Sequence, residues 1–182
     1  MAERRQVVLV DPDGSEIAPC EKRVAHEPPG RLHLAFSAFL FTSDGRLLVQ
    51  RRASAKYHFP GVWANACCSH PEPGEDLLAS AVRRVREELG LEVALAEAGE
   101  FVYRAVDPVS GLVEHELDHV VVGELPPGAL PQPDPEEVEQ WRLVDPSSVE
   151  GAGSAEGFAP WFAEGLARAR RAWPTIRAGS PG

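Results

Sequence analysis

Residues 75–91 read EDLLASAVRRVREELGL, and the spacing within them decides how the rest of the chain is to be folded. Leu78, Ala81, Val82, Val85 and Leu89 fall at helical intervals, and Gly90 stands where a helix closes on a left-handed residue. The stretch therefore predicts a helix over 75–89 capped by a glycine. Its end carries Glu87 and Glu88 beside Arg83, Arg84 and Arg86. Carboxylates at the end of a helix, next to a Gly/Pro-rich loop, are a common way to hold Mg²⁺ against a diphosphate. A solvated charged face would give the same letters, so the surrounding segments have to decide between them.

Upstream of this helix lie two Gly/Pro-rich segments, FPGVW (59–63) and SHPEPGE (69–75), and before them LHLAFSAFLFTSDGRLLVQRR (32–52). The latter has two apolar runs joined by Ser-Asp-Gly, which predicts a β-hairpin. QVVLVDPDG (6–14) is a β-branched run closed by a turn. Downstream, strands are expected at LEVALAE (91–97), GEFVYRAV (99–106) and LDHVVVGEL (117–125). A loop, PPGALPQPDPEE, then leads to the mixed apolar stretch VEQWRLVD (138–145), and a terminal helix is expected over about 158–173. With no repeat and no dividing linker, one domain over 1–174 is expected. The tail TIRAGSPG (175–182) lacks apolar periodicity and is expected to be disordered.

The 182 residues are enough to bury one ordinary core. With 28 acidic against 18 basic residues and a net charge of −10, the chain is not expected to bind nucleic acid or an anionic membrane. No apolar stretch follows the opening MAERRQ and no run reaches the roughly 18 apolar residues of a membrane span, so a cytoplasmic protein is expected. Cys20, Cys67 and Cys68 are odd in number and two are adjacent, a poor basis for a disulfide framework. Arginine supplies nearly all the positive charge, and lysine occurs only at Lys22 and Lys56.

Chemistry concentrates in GLVEHEL (111–117), where Glu114 and Glu116 stand one residue apart, and in the spaced histidines His26, His33 and His70. Imidazole nitrogen and carboxylate oxygen are what a hard or borderline divalent ion takes as ligands. A metal centre is therefore the first expectation. His58, His115 and His119 are read instead as structural or surface residues.

The helix resembles the Nudix box through Glu75, Arg83, Val85, Glu87, Glu88, Gly90 and Leu91, with Ser69 at the place of the first glycine and Arg84 at that of a glutamate. In Nudix hydrolases that missing carboxylate helps bind Mg²⁺ and activate water, so Arg84 argues against ordinary diphosphate hydrolysis. One branch of the superfamily is a better match. AHEPPGRLHLAFS, LLVQRRASAK, FPGVWANACCSHPEPGE, RRVREELGL, YRAVDP, VEHE and FAPW, in that order between about Val7 and Trp161, resemble the type I isopentenyl diphosphate isomerases.

That resemblance implies an α+β fold, a Nudix-type α-β-α sandwich with a mixed sheet. It implies reversible conversion of isopentenyl diphosphate to dimethylallyl diphosphate, and one divalent ion, Mg, Mn or Zn, held by His26, His33, His70, Glu114 and Glu116. It also implies Cys68 and Glu116 as the opposed acid and base, Cys68 being chosen over Cys67 by its spacing from Asn65 and His70. Tyr103 would assist Glu116, and the ring face of Trp161 would lie against the cationic carbon. Lys22, Arg52, Lys56 and Arg83 would meet the diphosphate, with Glu88 helping to hold a bridging Mg²⁺; a one-residue slip would exchange Arg51 or Arg84 for two of these. The expected partner is this small diphosphate. The rivals are a Nudix diphosphatase, which has no need of the histidines and Cys68 together, and a sensor domain that binds without turnover.

Overall fold

The computed structural model describes residues 6–179. The elements run β1 (Gln6–Val10), β2 (Glu16–Glu21), α1 (Lys22–His26), β3 (His33–Phe41), β4 (Leu47–Arg52), β5 (Trp63–Ala64), β6 (Cys67–Ser69) and α2 (Leu77–Leu89). They continue with β7 (Ala96–Val106), β8 (Val113–Glu124), β9 (Val138–Val144), two short 3₁₀ turns and α3 (Phe162–Gly179).

β3 is the axis of the sheet. One of its sides is taken over nine rungs by β8, in parallel; the other is shared along its length by β1 at His33, β6 at Phe36–Ala38 and β4 at Phe41. Strands buried on both faces read as continuous apolar runs, and β3 does. Phe36, Ala38 and Leu40 pack with Ala81, Val85 and Leu89 of α2. Phe39 and Phe41 pack on the other face with Phe162, Leu166 and Ala169 of α3. β8 divides likewise, Val121 towards α2 and Val120 and Val122 towards α3. The result is the expected α-β-α sandwich with a mixed sheet.

The expected helix starts two residues late. Asp76 accepts a hydrogen bond from the Ala79 amide at 2.9 Å, satisfying an orphan donor of the first turn, and Gly90 closes the helix at φ 65°. The expected hairpin is corrected: its turn forms, but β3 and β4 share a single rung, Phe41 with Leu47. Each has a better partner, β8 for β3 and β9 for β4. LEVALAE is not a separate strand; only Ala96 and Glu97 join β7, which bulges before Glu100 around Gly99 at φ 103°. The terminal helix begins later and runs further than expected. Part of the tail read as disordered, residues 175–179, belongs to α3, which continues through Pro174; Trp173 stacks on Phe41 and Ile176 packs against the same cluster. Residues 1–5 and 180–182 lie outside the described residues. Among the described residues no helix is long and apolar enough to cross a membrane.

Candidate active site

Alternation along two strands builds the site. On β8 the face that carries Val120 and Val122 against α3 carries Asp118, Glu116 and Glu114 towards the start of the strand. β3 pairs His33 with Glu116 and Ala35 with Asp118. His26 closes α1, and His70 follows directly on β6, so four separate elements converge.

The five expected ligands do come together: His26, His33, His70, Glu114 and Glu116 each offer an atom, all within 4.8 Å of one another. His26 Nδ1 donates to the Lys22 carbonyl at 2.6 Å and His33 Nδ1 to that of Arg31 at 2.7 Å. In a neutral ring this leaves each Nε2 as a bare lone pair facing inward. His26 Nε2 meets Glu114 Oε2 at 3.0 Å; His33 Nε2 meets His70 Nε2 at 3.2 Å, and His70 Nε2 meets Glu116 Oε1 at 2.8 Å. His70 Nε2 carries one proton at most, and two acceptors claim it. A cation among these atoms would satisfy all of them, so the donor set fits a divalent ion.

The charges agree with that fit in part: burial lowers His26, but its contact with Glu114 outweighs this and raises the ring. Burial, and after it the charge of Lys22, holds His70 well below the usual imidazole range and therefore neutral. Burial alone would raise Glu114, but contacts with His58 and His26 hold it well below the carboxylate range. Glu116 is raised, by burial and then by the charge of Glu114. Tyr103 donates its hydroxyl to Glu116 Oε2 at 2.6 Å.

Cys68 and Trp161 face the same cavity, of about 750 Å³, as Tyr103, Glu114 and Glu116. Cys68 pairs with Ser37 on one side of β3, while Glu116 pairs with His33 on the other. Its sulfur receives the Trp161 indole N–H at 3.1 Å and lies 3.1 Å from Asn65 Oδ1. Burial pushes the thiol up to about 12, against the pull of the Arg52 charge. Cys67 is turned to the α2 face and fully buried.

Lys22, Arg52, Lys56, Arg84 and Glu88 line the same cavity. Arg83 does not reach it. Its guanidinium is held by Glu75 at 2.8 and 2.9 Å and by Glu87 at 3.1 Å, on the outer side of α2 beside a smaller pocket. Arg84 takes the inward place: it bonds Glu88 at 2.5 Å, Glu87 at 2.6 Å and Glu137 at 3.3 Å. Lys56 pairs with Glu137 as well. Arg84 and Glu88 lie four residues apart, hence on one helix face; that spacing was the available signal for choosing Arg84.

The structure adds residues that the sequence reading passed over or assigned no part. His58, read as structural, lies with Nε2 2.7 Å from Glu114 Oε1, and a histidine two residues beyond Lys56 in a loop has no spacing that announces this. Asp118 accepts from Ser37 at 2.7 Å beneath Cys68; its place two residues after Glu116 was a readable signal on a strand. Asn65 donates to the carbonyls of Ala38 and Cys67, fixing the turn into β6.

Comparison with known proteins places this geometry. Residues 31–164 match the NUDIX domain. Among curated proteins, the isopentenyl-diphosphate Delta-isomerase of Streptomyces griseus is 49% identical over 97% of this chain and 87% of its own length. That of Nocardia farcinica is 48% identical over 88% and 91%. Among solved structures, DR0079 from Deinococcus radiodurans superposes with a TM-score of 0.73 over 90% of this chain and 98% of its own, at 20% identity, a likeness of fold. With the Nudix sandwich in place and near half of the residues shared along almost the whole length, the chain belongs to the isopentenyl-diphosphate Delta-isomerases of the NUDIX family.

Proposed function

We propose that the protein interconverts isopentenyl diphosphate and dimethylallyl diphosphate by 1,3-allylic proton transfer, with Cys68 and Glu116 as the two proton-transfer groups. The observation that carries this reading is their placement. They sit on strands flanking β3, face one cavity, and are each hydrogen-bonded by an aromatic donor, Trp161 for Cys68 and Tyr103 for Glu116. Isomerisation adds a proton to the terminal alkene carbon. The C–H bond beyond the tertiary carbon then breaks, and its electron pair becomes the new double bond. The protein's groups end with one proton gained and one lost, and the reverse reaction restores them.

Lys22, Arg52, Lys56 and Arg84, which line the cavity, meet the diphosphate in this reading, Arg84 replacing Arg83, and Glu88, which lines it too, would help hold a Mg²⁺ beside it. With the diphosphate at that end, the hydrocarbon reaches Trp161, whose ring face stabilises positive charge at the tertiary carbon without being alkylated by it. His26, His33, His70, Glu114 and Glu116 would hold a divalent ion, which supplies a fixed positive charge that orients the Glu116 carboxylate and strengthens its protonated form as an acid. Hydrolysis is disfavoured because position 84, where a Nudix hydrolase carries a carboxylate that helps bind Mg²⁺ and activate water, holds a guanidinium instead.

Proton NMR with isopentenyl diphosphate and Mg²⁺ in D₂O, alongside phosphorus NMR, tests the reading. Deuterated dimethylallyl diphosphate is expected. Phosphate release without isomerisation would assign a hydrolase, and bound but unchanged substrate would assign a sensor.

A further inference from the structure

The imidazole of His58 is 5% exposed and lies against the metal-ligand cluster without belonging to it. The two oxygens of Glu114 are divided between neighbours: Oε1 is 2.7 Å from His58 Nε2, and Oε2 is 3.0 Å from His26 Nε2. An ionised carboxylate only accepts, so the 2.7 Å contact, shorter than the 3.4 Å approach of Arg52 Nη2 to the same nitrogen, makes His58 the donor and places its proton on Nε2. Nδ1 is then a lone pair, and it has no partner among the described residues.

The backbone beside His58 is held in a costly shape. Phe59 has φ 45°, a left-handed conformation that is unfavourable for a residue with a Cβ. Three hydrogen bonds hold it there: the Phe59 amide donates to Asp107 Oδ2 at 3.1 Å, and Arg52 donates to the carbonyls of Phe59 at 3.0 Å and His58 at 3.2 Å. Strain over-determined by its surroundings at the edge of a ligand cluster points to a positional requirement. The same segment carries Lys56, two residues earlier, into the cavity.

We propose that His58 is a positioning residue for the metal centre: it donates to Oε1 of Glu114 and so presents Oε2 alone to the ligand cluster. This rests on reading the five-residue cluster as a metal site. An outer carboxylate partner of this kind typically changes metal affinity by about 10- to 100-fold.

The test is Mn²⁺ titration of metal-stripped wild type and of the variants His58→Ala, His58→Phe and His58→Gln. Affinity is read by calorimetry, ligand arrangement by electron paramagnetic resonance of bound Mn²⁺, and folding by circular dichroism. Ala leaves space and Phe fills it without a donor, so a loss common to both is not a packing effect. Both are expected to bind Mn²⁺ at least about 10-fold more weakly with an altered spectrum, and Gln, whose amide N–H can reach Oε1, is expected to recover most of the loss. Wild-type affinity and spectrum in either folded donor-less variant overturns the proposal, as does failure of Gln to recover any of it. Wild type that takes up no Mn²⁺ instead overturns the metal reading beneath it.

Discussion

The indole nitrogen of Trp161 stands 3.1 Å from the sulfur of Cys68, and both lie 3.1 Å from Oδ1 of Asn65. One aromatic residue therefore does two separable things: its N–H holds the sulfur, and its ring borders the cavity. Trp161→Phe keeps a ring and removes the donor, and is expected to lower kcat about 10-fold, the worth of one hydrogen bond to a group that becomes charged. Trp161→Ala should fall further by roughly another 10-fold through loss of the ring face, and should also destabilise the fold by about 3–5 kcal/mol. Steady-state kinetics beside urea unfolding separates the effects. A Phe variant as active as wild type would remove the N–H from the mechanism.

Cys68→Ala deletes the thiol proposed to transfer a proton but touches none of the five proposed metal ligands. Turnover is expected to drop by at least about 10²–10⁴-fold, with metal content by elemental analysis unchanged. Deuterium incorporation into isopentenyl diphosphate, followed by NMR, is the sensitive readout; an active alanine variant would end the assignment of Cys68.

What the sequence made legible, and what it hid, follows from range. α2 could be read because its spacing and its Gly90 cap are local, and the clustering of His26, His33, His70, Glu114 and Glu116 could be expected because a family pattern carried it. Strand partnership could not: the Ser-Asp-Gly turn forms, yet β3 prefers β8, some eighty residues on in the chain. Arg83 and Arg84 are neighbours in sequence and point about 100° apart on a helix, so a one-letter ambiguity became a change of face. His58 was unreadable because its role depends on a left-handed Phe59 that only Asp107 and Arg52, from other elements, make affordable. The tail looked structureless because its apolar residues are few, but Ile176 finds the cluster that Trp173 already joins.

The two arginines give a direct discrimination. Arg84→Ala is expected to weaken binding of Mg²⁺-diphosphate at least about 10-fold by calorimetry, since a charge-assisted contact to phosphate is worth about 1.5–3 kcal/mol. It should also destabilise the fold, because Glu88 is left buried without its partner. Arg83→Ala is expected to leave diphosphate affinity within about twofold. The opposite order of effects would return Arg83 to the diphosphate site.

Metal removal should be visible in stability as well as in turnover. A ligand at about 100 times its Kd stabilises by roughly 2.7 kcal/mol, and for a chain of this size that corresponds to about 5–10 °C in Tm. Chelator treatment is expected to lower Tm by that order and Mn²⁺ or Mg²⁺ to restore it. In a His33→Ala, Glu114→Ala double variant the chelator should have no effect. A wild-type Tm indifferent to chelator and added metal would sink the five-ligand assignment.

Glu75 tests the outer face of α2 through pH. The two hydrogen bonds from Arg83 are the largest influence on its carboxyl and, joined by the Glu72 amide, hold it down to about 2, against a usual value of 4.5. A carboxyl whose folded pKa is depressed lends its full stabilisation above the unfolded pKa and loses it as pH falls towards the folded one. The window is therefore about pH 4.5 down to 2. The pair is partly exposed, so screening limits its worth to about 1 kcal/mol at neutral pH. Glu75→Gln is expected to be less stable than wild type by about that amount in urea at pH 7, and the difference should shrink steadily below pH 4.5. Arg83→Ala should show the same decline, and combining the two should cost less than their sum. A Glu75→Gln penalty that persists undiminished at pH 2.5 would mean that the contact with Arg83 is not what the carboxylate contributes.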